Sequence, residues 1–543
     1  MADARQSIII KGFRKYSHSL GPESLQYIED ICSEYGFADD LNQIEIAVEH
    51  LAKEYSRQED AVMKVSLPLL QRAYHNLQEK EDRIENEDAD VLDPEDHLFF
   101  IDSYDMPGWH WSNERSTFEK ASSAATISGS AESRVRAIRD RLNIIRQTIL
   151  RNDHFSPSTL PSRDRERLLS LRSTKQLLGR AGDRFLLFGL LNYSKEGKLC
   201  LEDSDGKVEL DLSQLDAPSE GLFTDGCFIL AEGDYTEDET FKVIAIGHPP
   251  CERRETAQSI YGHIDFLGKG FSTPMEDVDL AERLRKEWSE LMVHCLSDVW
   301  LDHPETFNAL SKIFDTCTEA RTIPRVFVLC GNFTSRGISQ TSGKDIQSYH
   351  ENFDRLADLI SSYPAILQST HFVFVPGPLD LTSNSILPQR PILSSFVSKF
   401  KSRVPKAHFM SNPCRIKFFH QEIVIFREDL MARMLRNLVG IKPDVDNDQL
   451  KRYLVQSIVD QSHLIPLART IQPTLCEYDH ALRLYPAPST IILADKYEGY
   501  ELTYEGCHVF NPGSFVGSSF GFYTYFPARG RSESSNAGLE FEE

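Results

Sequence analysis

The feature that most constrains the fold is a series of short apolar runs between residues 291 and 528, separated by stretches with helical periodicity. The runs RVFVLCGNF, HFVFVPGP, EIVIFRED and TIILADK are each bounded by turn residues. Runs of this length suit strands that are buried on both faces, and their alternation with helical stretches is typical of a layered domain. Residues 291–528 are therefore predicted to form an α/β domain.

A second pattern, five shorter strand-like segments, occupies residues 181–252: FLLFGLL, GKLCLED, GKVELDL, CFILAEGDY and FKVIAIG. Five short strands with Gly and Asp turns predict a small closed barrel of the OB type. Such barrels often bind single-stranded nucleic acid through basic grooves and stacked aromatic rings. Between Phe185 and His248, however, 4 Lys and no Arg stand against 14 Asp plus Glu, a balance of -10. The barrel is therefore predicted to contact protein or to be purely structural.

The rest of the chain is predicted to be helical or irregular. In residues 1–78 apolar side chains recur at helical spacing, as in Leu41, Ile44, Val48 and Leu51, which predicts a small helical domain. The other predicted segments are an acidic and Ser/Ala-rich linker (79–132), a helical connection (133–180), a second connection (253–290) and a disordered tail (529–543).

An amphipathic stripe opens the predicted helical connection. Val135, Ile138, Leu142, Ile145 and Ile149 are spaced by three and four residues, as on one face of a helix. A helix with such a stripe lies against another surface, and ordinary packing onto the neighbouring domain is expected.

Charge and cysteine spacing argue against several function classes. The chain carries 59 Lys plus Arg against 82 Asp plus Glu, a formal charge of -23, which disfavours broad nucleic-acid binding. None of the 10 Cys forms a C-x-x-C pair, so the zinc-ribbon and thioredoxin motifs are absent. No run approaches the roughly 18 apolar residues of a membrane helix, and no signal pattern opens the chain. A soluble intracellular protein without membrane attachment is expected.

Polar residues follow the apolar runs of the predicted α/β domain at five places. Because the carboxyl ends of buried strands meet at one edge of a sheet, these residues are expected to converge on one site. The five candidate places are Asp298 with Trp300, Gly331-Asn332, Pro378-Leu379-Asp380, His463, and Asp495 with Tyr497.

The order and spacing of these residues resemble the calcineurin-like metallophosphoesterases, which implies a layered αββα domain. That family holds two cations with carboxylate and imidazole ligands. At the first two motifs, Asp298 keeps a carboxylate, but Trp300 stands where a His is expected and Asn332 replaces the bridging Asp. An indole N–H cannot coordinate a metal, and an amide lacks the charge that holds two dications together.

The later motifs depart further from that pattern. Pro378 replaces a ligand Asn, Leu379 replaces a His, and Asp380 matches a position that is not itself a ligand. His463 matches the isolated His of the family, whereas the last His pair is replaced by Asp495 and Tyr497. The resemblance thus implies a degenerate site with no catalytic residues, no metal and no cofactor. Bulk from Trp300, Pro378, Leu379 and Tyr497 is expected to fill the former pocket.

An OB-type barrel followed by such a degenerate domain resembles the B subunits of eukaryotic replicative DNA polymerases. The strings CLSDVWLD, LCGNF, FVFVPGP, NPCRI, FREDL, YPAP, ADKY and NPGSF are similar to the epsilon members of that family. The resemblance covers roughly residues 180–528.

That resemblance implies a nuclear accessory subunit in chromosomal replication that has no activity of its own. Its implied partners are the C-terminal zinc module of the polymerase epsilon catalytic subunit and the small histone-fold subunits of the same complex. The N-terminal helices, similar in this family to the C-terminal part of AAA+ ATPases, are implied to contact the GINS component of the replicative helicase. Direct nucleic-acid binding is expected to be weak or absent.

Several alternatives remain open at this point. Asp298, Asp495 and His463 are the residues of a possible rebuilt single-metal site, which would make the chain an active metal-dependent phosphoesterase or nuclease. The barrel is a candidate for single-strand binding, and the alpha and delta polymerases have B subunits of the same design.

Overall fold

The structure is a computed structural model that describes residues 2–34, 41–58, 60–86, 92–152, 154–155, 170–215, 219–338, 343–381, 385–440 and 444–538. Two compact units make up the chain. The first consists of Met1–Asp96, Gln258–Asp265 and Lys269–Glu287, and the second of His97–Ala257, Phe266–Gly268 and Trp288–Glu543. Within the described residues, every helix is too short or too polar to cross a bilayer.

The described residues form the following α-helices and strands. The helices are α1 (Ala2–Lys15), α2 (Pro22–Glu34), α3 (Leu41–Ser56), α4 (Leu67–Asn86), α5 (Ala131–Arg151), α6 (Arg254–Tyr261), α7 (Pro274–Glu287), α8 (Pro304–Glu319), α9 (Gly343–Ser361), α10 (Pro364–Ser369), α11 (Ser394–Arg403), α12 (Leu430–Arg436), α13 (Asn447–Asp460) and α14 (Asp479–Leu482). The strands are β1 (Leu98–Asp102), β2 (Trp109–Ser112), β3 (Thr117–Lys120), β4 (Leu171–Arg172), β5 (Arg184–Tyr193), β6 (Leu199–Glu202), β7 (Lys207–Asp211), β8 (Phe228–Tyr235), β9 (Thr240–Gly247), β10 (Val293–Leu296), β11 (Val326–Cys330), β12 (His371–Val375), β13 (Ala407–Phe409), β14 (Cys414–Phe418), β15 (Gln421–Arg427), β16 (Thr490–Ala494), β17 (Tyr500–Tyr504), β18 (Cys507–Asn511), β19 (Gly521–Phe526) and β20 (Arg531–Asn536).

The first unit is helical, and it includes a part of the chain that the sequence was expected to use as a connection. Apolar side chains of α1 to α4, such as Phe13, Val48 and Leu70, form its core. Helix α7 belongs to the same unit, and Lys53 on α3 forms an ion pair with Glu276 on α7. The prediction that residues 253–290 are only a connection is therefore wrong.

The second unit begins with a barrel whose five strands were predicted from the sequence and are confirmed as β5 to β9. The strand order is β4-β5-β6-β7-β9-β8, and an additional pairing of β5 with β8 closes the barrel. Alternating apolar side chains fill its interior, among them Leu187, Leu201 and Phe241. Helix α5 packs on the outside through the C-terminal part of its stripe, where Ile145 contacts the cluster around Phe228.

Two further six-stranded sheets lie in the second unit. Their strand orders are β13-β12-β11-β10-β19-β20 and β1-β14-β15-β16-β18-β17. The sheets face each other, as shown by the rings of Phe510 on β18 and Tyr525 on β19, whose centroids lie 6.0 Å apart. Helices α8, α9 and α11 cover the first sheet and α12 and α13 the second, so the layers are helix, sheet, sheet and helix.

Two segments that were predicted to be irregular contain strands. Within the predicted linker 79–132, β1 pairs antiparallel with β14 and β2 pairs with β3, while residues 87–91 lie outside the described residues. Within the predicted tail 529–543, β20 pairs antiparallel with β19 over six residues, and residues 539–543 lie outside the described residues. The tail prediction failed because β20, RSESSN, is a polar strand at the edge of its sheet and needs few apolar residues of its own. The linker prediction failed because β1, LFFID, is a short apolar run beside a long acidic stretch.

The described part of the predicted helical connection 133–180 combines helix and strand. Helix α5 ends at Arg151, the strand β4 lies at Leu171–Arg172 and a short 3-10 helix follows at Thr174–Leu177, while residues 153 and 156–169 lie outside the described residues.

Candidate site at the strand ends

Four of the five predicted places come together where strands of both sheets end. Asp298 follows β10, Asn332 follows β11 and Asp380 follows β12, and these three strands are parallel neighbours. Asp495 follows β16 in the other sheet. Asp298 adopts a φ of 54°, a left-handed conformation that is uncommon for residues other than glycine. The convergence expected from the sequence is therefore present at these four places.

The centre of the site is occupied by an arginine that the sequence pattern did not single out. Arg427, the last residue of β15, has 0% of its side chain exposed. Its Nη2 donates to Asp298 Oδ1 at 2.7 Å, and its Nη1 donates to Asp429 Oδ1 at 2.9 Å. The guanidinium also donates to the carbonyls of Gly331 and Ala494. One internal cation thus lies between two carboxylates and two carbonyl oxygens.

Asn332 connects the strand ends through the two ends of its uncharged amide. Its Nδ2 donates to Asp298 Oδ1 at 3.0 Å, and its Oδ1 accepts from the backbone N–H of Leu379 at 2.8 Å. Because both ends of the amide are engaged, Asn332 holds the strand ends together without adding charge.

Asp380 and Asp495 each fix the backbone around the site. Asp380 accepts from the backbone N–H of Gly377 at 2.7 Å and of Phe333 at 2.8 Å. Asp495 accepts from the backbone N–H of Met431 at 2.7 Å and of Tyr497 at 3.0 Å. Both carboxyl groups are thus used to position loops.

His463 does not belong to this site. It follows helix α13, not a strand, so its prediction as a strand-end residue is wrong. Its Nδ1 accepts from the backbone N–H of Ile465, and its Nε2 lies 3.6 Å from Asp479. Asp479 in turn accepts two hydrogen bonds from Arg141 on α5. His463 therefore lies beside a separate ion pair, that of Arg141 and Asp479, and the rebuilt site of Asp298, Asp495 and His463 is not assembled.

The ionisation of the site follows from burial and from Arg427. Burial acts to lower the pKa of Arg427, but the charges of Asp298 and Asp429 outweigh it and hold that pKa above its ordinary value. Burial acts to raise the pKa of Asp429, but Arg427 and Lys496 outweigh it and lower that pKa. Burial raises the pKa of Asp380 to about 7 and also raises the pKa of Asp495.

Burial also keeps His463 neutral, because it lowers the pKa of that imidazole to about 4. A neutral imidazole in the Arg141–Asp479 network accepts a backbone hydrogen bond and carries no charge. This state is consistent with a structural role for His463.

The arrangement of side chains around Arg427 does not fit the two-cation centre of the metallophosphoesterases that the sequence resembles. A pair of divalent ions needs several anionic or imidazole ligands that are free to coordinate. Here Asp298 is engaged by Arg427, whose guanidinium stays protonated in proteins and repels a metal ion. Among the described residues, no group of three or more His, Cys, Asp or Glu side chains is placed to hold a metal ion.

The residues predicted to fill the former pocket lie nearer the surface than Arg427. Leu379 is 38% exposed, and Trp300, Pro378 and Tyr497 are half-buried. The buried space between the carboxylates is filled by the Arg427 guanidinium. The sequence held one signal that could have pointed to Arg427. It is a charged residue at the end of the apolar run EIVIFRED, and the sequence pattern assigned it no partner.

Family models match both folded parts of the second unit. The model that describes the B subunits of DNA polymerases alpha and epsilon matches residues 293–501, and the model for "DNA polymerase epsilon subunit 2-like, OB-fold domain" matches residues 131–250. The fold and the site thus define a B subunit of a replicative DNA polymerase.

Curated relatives narrow this class. DNA polymerase epsilon subunit 2 of Homo sapiens is 37% identical over 450 residues, which cover 81% of this chain and 84% of the relative. The DNA polymerase epsilon B subunit of Schizosaccharomyces pombe is 32% identical over 555 residues, which cover 95% of this chain and 93% of the relative. The chain belongs to the family of DNA polymerase epsilon B subunits, which confirms the resemblance found in the sequence.

The OB-fold match also changes one boundary. It begins at residue 131, so α5 is matched together with the barrel, whereas the sequence pattern placed the start of the barrel at residue 181.

Among solved structures, an archaeal phosphodiesterase is 10% identical to this chain, and the alignment covers 45% of this chain and 99% of the phosphodiesterase, with a TM-score of 0.24. A score this low supports no conclusion about fold.

Proposed function

We propose that the chain is a noncatalytic scaffold subunit of the DNA polymerase epsilon complex that acts in the nucleus during chromosomal replication. The observation that carries the noncatalytic part is the buried Arg427 between Asp298 and Asp429. A phosphoesterase needs a cation that accepts a substrate oxygen or activates water. Arg427 is a cation whose hydrogen bonds go to the protein itself, so it stabilises the domain and leaves nothing for a substrate.

The scaffold part is supported by the family and by charge. The proposed partner of the second unit is the C-terminal zinc module of the catalytic subunit. The barrel balance of -10 between Phe185 and His248 suits a basic protein surface, since complementary charge speeds association and excludes wrong partners. The small histone-fold subunits join the same complex, and the helical first unit links it to the GINS component of the replicative helicase. Direct nucleic-acid binding has no part in this proposal.

The test is co-expression of this chain with the C-terminal region of a polymerase epsilon catalytic subunit. Affinity capture through one chain, followed by gel filtration at moderate salt, measures whether a complex forms and in what ratio. A one-to-one complex supports the proposal. A chain that elutes alone at every salt concentration contradicts the proposed partner, whatever the state of the site at Arg427.

The helicase link is tested separately. The full chain is mixed with purified GINS, and binding is compared with that of a chain lacking residues 1–96. Loss of binding on deletion supports the assignment to the helical unit, and equal binding by both chains contradicts it.

A further inference from the structure

The apolar stripe of α5 is longer than the surface that it covers. Its C-terminal residues Leu142, Ile145 and Ile149 are buried against the barrel. At the N-terminal end of the same stripe, Val135 is 46% exposed and Ile138 is 38% exposed. Single exposed apolar residues are ordinary on protein surfaces, but a continuous exposed end of an amphipathic stripe is typical of an interaction site.

This exposed end forms one wall of a groove of about 650 Å³. The half-buried Leu190 of β5 also lines it, between the helix and the β6–β7 turn of the barrel. On the barrel side the wall carries the carboxylates of Glu202, Asp203 and Asp205 together with the ammonium group of Lys207, and on the helix side it carries Arg139 and Arg146. The groove therefore has an apolar centre, a mainly acidic edge and a basic edge.

The loop that bears the acidic edge is held in place by its own hydrogen bonds. Asp203 accepts from the backbone N–H and the hydroxyl of Thr174 and from the backbone N–H of Asp205 and Gly206. Because this edge is already ordered, a partner that binds there loses little free energy to the ordering of the barrel loop.

We propose that this groove docks an amphipathic segment of a partner protein, with apolar side chains over Val135, Ile138 and Leu190. The two edges fix the charges of that segment: Lys or Arg faces Glu202 and Asp205, and acidic or neutral side chains face Arg139 and Arg146. The barrel balance of -10 favours a partner whose overall charge is basic. The choice of the catalytic subunit's C-terminal region as the partner rests on the proposed function.

The test uses the full chain with the substitutions Val135→Asp and Ile138→Asp, singly and together. Both side chains are exposed, so the melting temperature of the free chain is expected to stay unchanged. Affinity for the C-terminal region of the catalytic subunit is expected to fall about 10-fold for each substitution, the size seen for interface residues of moderate importance. Asp205→Lys is expected to weaken binding at low salt and less so at high salt. The matched control is Leu178→Asp, an apolar residue that is 70% exposed and does not line the groove.

The possible results separate this inference from the proposed function. Failure of the unsubstituted chain to bind overturns both. Binding by the unsubstituted chain that Val135→Asp and Ile138→Asp leave unchanged, or weaken no more than Leu178→Asp does, overturns the groove alone. A lower melting temperature of the free substituted chain also overturns the inference, because it means that another part of this chain covers the groove. Weaker binding with an unchanged melting temperature supports it.

Discussion

Replacing Arg427 with methionine removes the cation that lies between Asp298 and Asp429 while keeping an unbranched apolar side chain in place of the arginine stem. The variant leaves the almost fully buried Asp298 without its cation, and it leaves Asp429 with Lys496 as its ion-pair partner. Because burial without a counter-charge disfavours ionised groups, the folded state loses stability at neutral pH.

The magnitude follows from the geometry. Two unit charges about 4 Å apart attract by about 4 kcal/mol at an effective dielectric constant of 20, and Arg427 contacts two carboxylates. Desolvation of all three groups offsets much of this attraction. Removal of one partner from a buried pair costs about 3 to 5 kcal/mol, which is the loss expected for Arg427→Met at pH 7.5. The double variant Arg427→Met with Asp298→Asn is expected to lose less, since one of the uncompensated charges is gone.

The assay is urea unfolding followed by tryptophan fluorescence at pH 7.5 and pH 5. In the unsubstituted chain the pKa of Asp429 is lowered, so its contribution is present above its unfolded pKa and is lost only as the pH falls through the lowered value. In Arg427→Met the pKa of Asp429 is no longer lowered by Arg427 and therefore rises, so protonation at lower pH removes part of the uncompensated charge. The stability gap between the two chains is therefore expected to narrow at pH 5. A loss below about 1 kcal/mol at pH 7.5, or a gap that does not narrow, would refute the reasoning.

Three further predictions concern other parts of the chain. Burial raises the pKa of Asp380 to about 7, so the folded state keeps a proton that the unfolded state releases near pH 4. The free energy of unfolding therefore falls as the pH rises between those two values. In Asp380→Asn the urea midpoint is expected to fall less steeply with pH, and an equal dependence on pH in both chains would contradict the prediction. Glu276→Gln leaves Lys53, whose side chain is 4% exposed, without its ionic partner. The helical unit is therefore expected to lose about 1 to 3 kcal/mol of stability, measured by thermal unfolding followed by circular dichroism. Adding Lys53→Met is expected to recover part of this loss, and no recovery would count against the ion pair. Ending the chain after Gly530 removes β20 and uncovers the edge of β19. The melting temperature is therefore expected to fall by several degrees, roughly 2 to 4 °C for each kcal/mol of stability lost. An unchanged melting temperature would show that β20 adds no stability.

The local sequence pattern was sufficient to predict the position of an element that is built from its own apolar residues. The barrel strands β5 to β9 were predicted because alternating apolar residues and Gly or Asp turns are contained within each segment. The strand ends that carry Asp298, Asn332, Asp380 and Asp495 were predicted for the same reason, since each follows a continuous apolar run.

Local pattern failed where a residue depends on a distant partner. Strand β1 is five residues long beside an acidic stretch, and its pairing with β14 spans more than three hundred residues of sequence. Arg427 lies 129 residues from Asp298 in the chain, so nothing near either residue predicts their ion pair. His463 was placed at the site by its order in a motif, but it accepts a hydrogen bond from the backbone N–H of Ile465 and lies beside Asp479.

The most direct test of the central claim is a calorimetric titration of the full chain with Mn²⁺, with phosphodiester hydrolysis measured on bis(p-nitrophenyl) phosphate in the same samples. The account predicts no binding that depends on Asp298 and no hydrolysis above background, because Arg427 holds that carboxylate. Stoichiometric Mn²⁺ binding together with turnover, both lost in Asp298→Asn, would contradict the claim that an internal guanidinium has replaced the metal centre.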